Sequence, residues 1–156
     1  MRKRIINPVQ QETPSLKLEW LNIEDLAEVE ITSEDAAHPI ESALLPGRSG
    51  WRAAGPGMQT IRLNFDRPQR IQRIWIHFVE PSVERTQEYL LRWSADSGQS
   101  FREIVRQQWN FSPRGATSEM EDLHVALPAV TELELSIIPD ISGGNAFASL
   151  AQLRLA

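Results

Sequence analysis

Apolar and polar residues alternate along much of the chain, and this period of two is the pattern of a β-strand with one buried face. Residues 60–65 show it most clearly, because Ile61, Leu63 and Phe65 share one face. Comparable segments lie at residues 28–33, 74–79, 89–93, 101–105, 121–127, 132–137 and 149–155. Only a short turn at residues 40–44 has helical character. The pattern predicts an all-β fold, an antiparallel β-sandwich or jelly roll of about eight strands.

Turn-forming residues separate these segments. Asp96 and Ser97 can bond the nearby backbone and Gly98 tolerates a positive φ, so this stretch predicts a β-hairpin between the strands that flank it. Residues 66–69 predict a turn between two further strands, because they combine Asp, Pro and Gln. Pro128 is expected to end the strand that precedes it, since proline cannot donate to a β-ladder.

The composition fits one compact domain. The chain has 156 residues, of which 41% are hydrophobic and 24% charged, enough to bury a core. We predict a single domain over residues 1–156, with an N-terminal arm (1–26) packed on a sandwich (27–156). The basic start Met1–Arg4 is followed by too few apolar residues for a signal peptide. Together with the absence of cysteine, this predicts a cytoplasmic protein, and no apolar run is long enough to insert into a membrane.

Charge narrows the class of partner. The net charge of −5 argues against nucleic acid, whose binding depends on a positive surface. Almost all the basic residues are Arg, the exceptions being Lys3 and Lys17. Two interpretations stay open: the guanidinium groups bind carboxylates or sugar hydroxyls of a ligand, or they form cross-strand ion pairs with Glu.

Catalytic signatures are missing from the sequence. It has no Gly-x-Ser-x-Gly elbow, no Walker loop and no Gly-x-Gly-x-x-Gly turn. His77 and Glu80 are three apart on a predicted strand and face opposite sides, so they cannot share a metal. Glu119 and Glu121 suit glycoside hydrolysis in principle, but acidic residues at a strand edge are expected to be solvated. We therefore predict that the protein is not an enzyme.

The order of the pieces resembles a known family. An apolar segment ending at Trp51, the strands at 60–65 and 71–79, the Asp96 hairpin and the closing strand at 149–155 follow one another as in the discoidin, or coagulation-factor C-type, domain of the galactose-binding-like superfamily. The resemblance covers residues 27–156. It implies a β-sandwich that binds its ligand through loops at one end, where family members hold sugars, proteins or phospholipids.

The resemblance also implies a set of ligand-binding residues. Sugar-binding members use an early His or acid, an Arg and an Asn before the Tyr-bearing strand, and an aromatic in the last loop. The matching positions here, with Gln87 in place of the Asn, are His38, Arg85, Gln87, Asn145 and Phe147. Each has a structural alternative: Arg85 pairs with Glu80 or Glu88, Phe147 fills the end of the sandwich, and His38 caps a turn before Pro39.

Tryptophan is the residue type best suited to stack on sugar rings. Trp109 is the most plausible exposed aromatic and completes the predicted ligand-binding set, although a place in the core stays open for it. Trp51, Trp75 and Trp93 are predicted to be core residues. Trp20 is predicted to attach the N-terminal arm to the domain.

A structural calcium ion, common in this family, is predicted to be absent. The family's Asp-Gly turn is Leu45-Pro46-Gly47 here, Ser49-Gly50 precedes Trp51, and the late acidic position is Gln152. Ca²⁺ needs several anionic oxygen ligands, which these residues do not supply. We therefore predict a non-enzymatic carbohydrate-binding module without a cofactor. The alternative is a cytoplasmic protein–protein interaction module with no sugar ligand.

Overall fold

The computed structural model describes residues 19–156. These residues form two short helices and eight strands, which confirms the predicted all-β class. The helices are α1 (Ile23–Leu26) and α2 (Glu41–Leu44). The strands are β1 (Ala27–Ile31), β2 (Trp51–Pro56), β3 (Gln59–Val79), β4 (Arg85–Ser94), β5 (Arg102–Phe111), β6 (Ser118–Ile138), β7 (Phe147–Leu150) and β8 (Gln152–Leu155).

Two long strands run through both layers of the sandwich. In the first part of β3, residues 61–65 pair with β1 and residues 59–64 pair with residues 132–137 of β6. After shifts of register, residues 71–79 pair with the first part of β6 and with β8. One layer therefore has the order β1-β3-β6-β4-β5, and the other is built on the remaining halves of β3 and β6 with β8, beside the pair β2-β7.

The core lies between these layers. Ile61, Leu63 and Phe65 are buried on one face of β3, as their alternation predicts. Further along the same strand, Ile74 and Ile76 are also buried. Opposing strands supply the rest of the apolar interior, chiefly Tyr89, Leu91, Leu133, Leu135, Ile137, Leu150, Leu153 and Leu155. Burial of this apolar surface is the main force that holds the sandwich together.

Two predicted strand breaks are wrong. Residues 66–69 lie inside β3 and Pro128 lies inside β6. In the irregular stretch of the ladder, Gln69 pairs with Val130 and Ile71 with Leu127, so the register shifts between them. Pro128 falls in this shift, where a residue without an N–H interrupts no regular ladder bond. The turn residues bend the strands between layers and do not end them.

The predicted hairpin is present between β4 and β5. The hydroxyl of Ser94 accepts hydrogen bonds from the backbone N–H of Asp96 (3.2 Å) and Gly98 (2.9 Å). Ser97 and Gly98 both have positive φ, at 58° and 86°. Bonds from the hydroxyls of Ser100 and Ser94 lower the pKa of Asp96 to about 2. The side chains thus satisfy the turn's backbone, as expected for an Asp-Ser-Gly sequence.

Part of the N-terminal arm contacts the sandwich. The N–H of Leu21 donates to the carbonyl of Leu155 (2.7 Å), and Ile23 is buried. The Trp20 ring lies beside Arg73 (5.0 Å from guanidinium carbon to ring centre) and Arg154 (5.6 Å). The rest of the predicted arm, residues 1–18, lies outside the described residues. Within residues 19–156, no helix has the length and apolar character needed to cross a membrane.

The tryptophans divide differently from the prediction. Trp51 and Trp93 are buried, as expected. Trp75 is only half-buried and its ring lies 5.7 Å from the ring of His77, so the core prediction is wrong for this residue. Its side chain lies on the outer face of β3, because the buried neighbours Ile74 and Ile76 occupy the inner face.

Candidate functional site

A cleft of about 700 Å³ opens at one end of the sandwich. Its walls come from the β1–α2 loop, β2, the β3–β4 loop, the β6–β7 loop and the start of β7. His38, Arg52, Glu80, Asn145 and Phe147 are among the residues that line it. The volume is within the range of pockets that hold small ligands. The structure thus brings three of the predicted residues together: His38, Asn145 and Phe147.

The buried side chain of Arg85 is bonded to two of the loops that form the cleft. Its side chain is buried at the start of β4, where Nε donates to Oε1 of Glu80 (2.9 Å) and Nη1 to the carbonyl of Pro139 (2.7 Å). The Phe111 ring packs under the guanidinium at 4.9 Å. Glu80 also accepts a bond from the backbone N–H of Ser82 (3.2 Å). One guanidinium therefore joins the β3–β4 loop to the β6–β7 loop.

Gln87 and Glu119 extend the buried hydrogen-bonded network of Arg85. Gln87 is fully buried and its side-chain oxygen accepts from Nη1 of Arg85 at 3.3 Å. Its amide nitrogen lies 3.5 Å from Oε1 of Glu119. Glu119 is 2% exposed, so the expectation of a solvated carboxyl is wrong. Burial, aided by the charge of Glu121, raises the pKa of Glu119 to about 7.

The burial of Arg85 and Gln87 corrects their predicted role. Both were expected to contact the ligand, but their side chains lie inside the sandwich beneath the cleft. Of the alternatives considered for Arg85, pairing with Glu80 is the one observed. The sequence did not predict the burial of the two side chains, because the burial of a charged or polar group depends on partners that come from elsewhere in the chain.

His38 belongs to the early wall of the cleft. Its Nδ1 lies 3.0 Å from Oδ2 of Asp35, and the imidazole is 42% exposed. The bond to His38 lowers the pKa of Asp35. Backbone bonds tie this loop to β2, since the N–H of Asp35 donates to the carbonyl of Arg52 (2.8 Å) and the N–H of Arg52 to that of His38 (3.1 Å). With Nδ1 engaged, Nε2 is the ring atom available to a ligand.

The last loop supplies Asn145 and Phe147. Gly143 and Gly144 have φ of 87° and 90°, a region that residues with a Cβ avoid. These two residues form the turn that precedes Asn145, whose side chain is exposed. Phe147 is half-buried, and the guanidinium carbon of Arg52 lies 5.1 Å from the centre of its ring. Arg52 therefore covers part of the aromatic surface that was predicted to stack on a sugar.

Sequence reasoning did not select Arg52. A signal was present: Arg52 stands between two residues of β2 that are buried, Trp51 and Ala53, so alternation alone puts its side chain on the solvent side. Arg52 is the residue after Trp51, which the family resemblance identifies. Exposure on β2, next to the early loop, was enough to nominate it.

Trp109 lies away from this constellation. It stands on β5 opposite Gln87 and is 37% exposed, so the alternative of a place in the core is not observed. It is not among the residues that line the cleft. The structure therefore does not join Trp109 to His38, Asn145 and Phe147.

The expected calcium position has a hydrogen bond of its own. The side-chain nitrogen of Gln152 donates to the carbonyl of Leu45 at 3.2 Å. An amide N–H pointing at this carbonyl suits a metal-free loop, since a metal ligand must present a lone pair. Across residues 19–156, no three or more His, Cys, Asp or Glu side chains cluster as metal ligands would. The absence of a structural calcium ion stays a prediction.

Comparison with known proteins supports the fold. The sequence matches no protein-family model and no curated protein. Among solved structures, a family 32 carbohydrate-binding module of Clostridium perfringens NanJ, in complex with galactose, is 16% identical, with a TM-score of 0.63, over 87% of this chain and 96% of that one. A second such module from Clostridium perfringens, in complex with GalNAc-β-1,3-galactose, is 21% identical (TM-score 0.61; 88% and 99% covered).

A third solved structure, the family 32 module of AlyQ, was determined in complex with 4,5-unsaturated mannuronic acid. It is 16% identical, with a TM-score of 0.59, over 85% of this chain and 95% of that one. The comparisons do not test the narrower likeness to discoidin domains. At these identities the likeness shows the fold: this chain has the same β-sandwich fold as these three carbohydrate-binding modules.

Proposed function

We propose that this chain is a non-enzymatic carbohydrate-binding module that takes its ligand in the cleft at the end of the sandwich. The observation that carries the proposal is the meeting of His38, Arg52, Asn145 and Phe147 around one open cleft. These groups combine directional hydrogen-bonding side chains with an aromatic ring. Sugars need both, because their hydroxyl groups seek such bonds and their CH faces pack on aromatic rings.

The fold likeness supports the same proposal. The three family 32 modules described above were solved with bound sugars, two of them neutral and one acidic. A fold alone does not choose a function. The proposal therefore rests on the cleft residues of this chain, and the neighbours show that this fold accommodates carbohydrate.

The carboxyl groups of the cleft argue for binding without catalysis. Glu80 is paired with Arg85. Bonds from Ser142 lower the pKa of Asp140. A glycosidase needs an acid whose pKa is raised so that it can protonate the leaving group. Among residues 19–156, the carboxyl whose pKa is raised to about 7 is that of Glu119, and it lies buried beneath the cleft.

A protein partner is the second candidate. Val79 and Val83 line the cleft and are 41% and 47% exposed. Exposed apolar side chains at a rim suit the apolar residues of a protein surface better than sugar hydroxyls. The predicted cytoplasmic location also favours this candidate.

A glycan array followed by calorimetric titration tests the first candidate. We expect the protein to bind glycans with and without Ca²⁺, and Asn145→Ala to weaken the best ligand roughly tenfold, the value of one hydrogen bond with a well-placed partner. Trp109→Ala is the matched control, because that side chain is exposed outside the cleft. Binding that Trp109→Ala weakens and Asn145→Ala does not would move the site elsewhere. An array with no bound glycan would favour the protein partner.

A further inference from the structure

We propose that the ligand of the cleft is an acidic sugar, and that the guanidinium of Arg52 binds its carboxylate. This inference rests on the proposed carbohydrate function and narrows the class of ligand. A uronic acid, whose planar carboxylate matches the two parallel donors of a guanidinium, is the ligand that this chemistry fits.

The backbone and side chain of Arg52 are both held in position. Its N–H and carbonyl are bonded to the early loop on one side of β2. The flanking side chains of Trp51 and Ala53 are buried and anchor the strand. The guanidinium lies over the Phe147 ring at 5.1 Å. Stacking engages the flat face of the guanidinium and leaves its N–H edge open to a ligand in the cleft.

Several arginines within residues 19–156 have an acidic partner, and Arg52 is not among them. The arginines with a carboxylate oxygen within 4.0 Å are Arg62, Arg73, Arg85, Arg92 and Arg106. Within residues 19–156, no ion pair at that distance involves Arg52. The charge of Arg52 contributes to the lowered pKa of Asp35, after the larger effects of the bonds from His38 and Ala37. The guanidinium N–H groups form no ion pair there, so they can bond an anion that enters the cleft.

The carboxylates near the cleft have donors of their own. Glu80 is bonded to Arg85 at 2.9 Å. Asp140 accepts bonds from the hydroxyl and N–H of Ser142, and these, with a smaller contribution from the charge of Arg85, lower its pKa. Asp35 is bonded to His38. The cation beside Glu80 offsets the negative charge of that residue, so Glu80 opposes an incoming carboxylate less than a free acid would. The donors of Asp140 and Asp35 hold these two carboxylates in place and ionised, so the attraction that an acidic ligand meets in the cleft must come from Arg52.

The guanidinium over the Phe147 ring should make the cleft bind acidic sugars more tightly than neutral ones. A neutral sugar that packs its CH face on an aromatic ring needs that surface uncovered. In this structure the guanidinium of Arg52 already occupies one face of the ring. A uronic acid can use the covering group directly, because the guanidinium is then its principal contact. The same geometry that weakens neutral stacking supplies the site for a carboxylate.

The test compares an acid with its own ester. Calorimetric titrations would use oligogalacturonate, its methyl ester, oligomannuronate and a neutral galactose oligosaccharide. We expect at least one of the two acids to bind ten or more times more tightly than the neutral probes, with an affinity that falls as salt is raised. Arg52→Gln should reduce that preference to about one. Arg154→Gln, which removes a guanidinium stacked on Trp20 outside the cleft, is the matched control and should leave it unchanged.

Two further measurements keep the outcome clear. Thermal melts check that the variants are folded. Arg52→Lys keeps the charge without the planar fork, and it should retain only part of the preference for the acid. Equal binding of neutral and acidic probes, or a preference that survives Arg52→Gln, would overturn the inference and leave carbohydrate binding intact. If none of the probes and no glycan of the array binds, the proposed function and this inference fail together.

Discussion

Arg85 and Arg52 carry the same guanidinium group but have different roles, because one is buried and the other is exposed. Arg85 starts β4 on its inward face, and its guanidinium is surrounded by Glu80, Pro139 and Phe111. Arg52 points outward from β2, and its guanidinium lies over the Phe147 ring. The buried guanidinium sets the distance between two cleft loops, and the exposed one faces the space between them. The first is therefore a positioning residue and the second a candidate ligand contact.

Removing the Arg85 side chain should destabilise the protein. Arg85→Ala leaves Glu80 without its cation and the Pro139 carbonyl without its donor, so we expect a loss of roughly 3 kcal/mol in the free energy of unfolding. Arg85→Lys keeps the charge but cannot serve both partners, and should lose about half as much. Urea denaturation measures both values. Arg114→Ala, at an exposed loop position, is the control and should change stability by less than about 0.5 kcal/mol. An Arg85→Ala protein as stable as the wild type would show that the guanidinium is not structural.

The arginine-rich composition left open whether the guanidinium groups bind a ligand or form ion pairs across strands, and one face of the sheet shows such ion pairs. Glu134 on β6 is 4% exposed and lies between Arg62 of β3 and Arg92 of β4, which both bond to it. Burial alone would raise the pKa of Glu134, but these two bonds lower it. Arg62 also approaches Glu30 of β1 at 3.6 Å. On this face of the sheet, arginine serves the cross-strand pairing that the sequence offered as one of two interpretations.

The junction between α2 and β2 depends on a close backbone approach. Gly50 has φ of 97°, and a Cβ there would lie 2.8 Å from the carbonyl oxygen of Leu150 and 3.0 Å from Cα of Ala151. Backbone atoms of β7 and its neighbour cannot give way as a flexible side chain can. Gly50 therefore lets the chain enter β2 in contact with the end of β7.

Gly50→Ala should consequently cost more stability than Gly47→Ala. Gly47 also has a positive φ, at 73°, but a Cβ there meets nothing within 4 Å. We expect about 1 kcal/mol for Gly47→Ala, from backbone strain alone, and about 3 kcal/mol for Gly50→Ala, from strain and overlap together. Thermal and urea denaturation of the pair give the comparison. Equal losses would mean that the backbone of β7 moves aside without cost.

The charge distribution makes the stability of the whole molecule depend on pH in two opposite ways. Glu119 has a native pKa raised to about 7 by burial, so the folded protein holds this proton more tightly than the unfolded chain. Its contribution falls as pH rises from about 4.5 to 7 and is constant above that window. Asp96, whose native pKa is lowered to about 2 by hydrogen bonds, acts in the other direction. Its contribution is present above about pH 4 and is lost as pH falls through the native value.

Glu119→Gln should remove the first dependence. Between about pH 4.5 and 7 the wild type should lose stability from this group and the variant should not. The unfolding free energy of the variant should therefore rise relative to that of the wild type by up to about 3 kcal/mol over this window. Urea denaturation at intervals of pH measures it. Asp96→Asn serves as the comparison of opposite sign, because its loss of stability should be constant above about pH 4 and should shrink as pH falls below that value. A Glu119→Gln difference that is flat across the window would show that water reaches this carboxyl in the folded state.

Local patterns predicted the strands and part of the site. Alternation placed Ile61, Leu63 and Phe65 on one buried face without any knowledge of the strands that pack on them. The Asp96 turn was recognisable because its hydrogen bonds join residues within five positions of one another. His38, Asn145 and Phe147 were nominated from their loops through the family resemblance, and the structure brings all three to the cleft. These features depend on backbone geometry and on neighbours in the chain.

Tertiary structure alone decided which polar groups are buried and where the long strands bend. Arg85 is buried because the carbonyl of Pro139, distant in sequence, accepts a hydrogen bond from its guanidinium. Glu119 is buried because Gln87 of another strand lies beside it. The stretch at residues 66–69 continues β3 because residues of β6 bend with it. In each case the free energy depends on partners that the fold brings from elsewhere, since a buried charge or an interrupted ladder is tolerated only where they are present. Alternation and turn chemistry were sufficient to predict the all-β class and the hairpin, and the family resemblance pointed to the loops that line the cleft. The packed structure was needed to separate Arg85, which supports the cleft, from Arg52, which faces it.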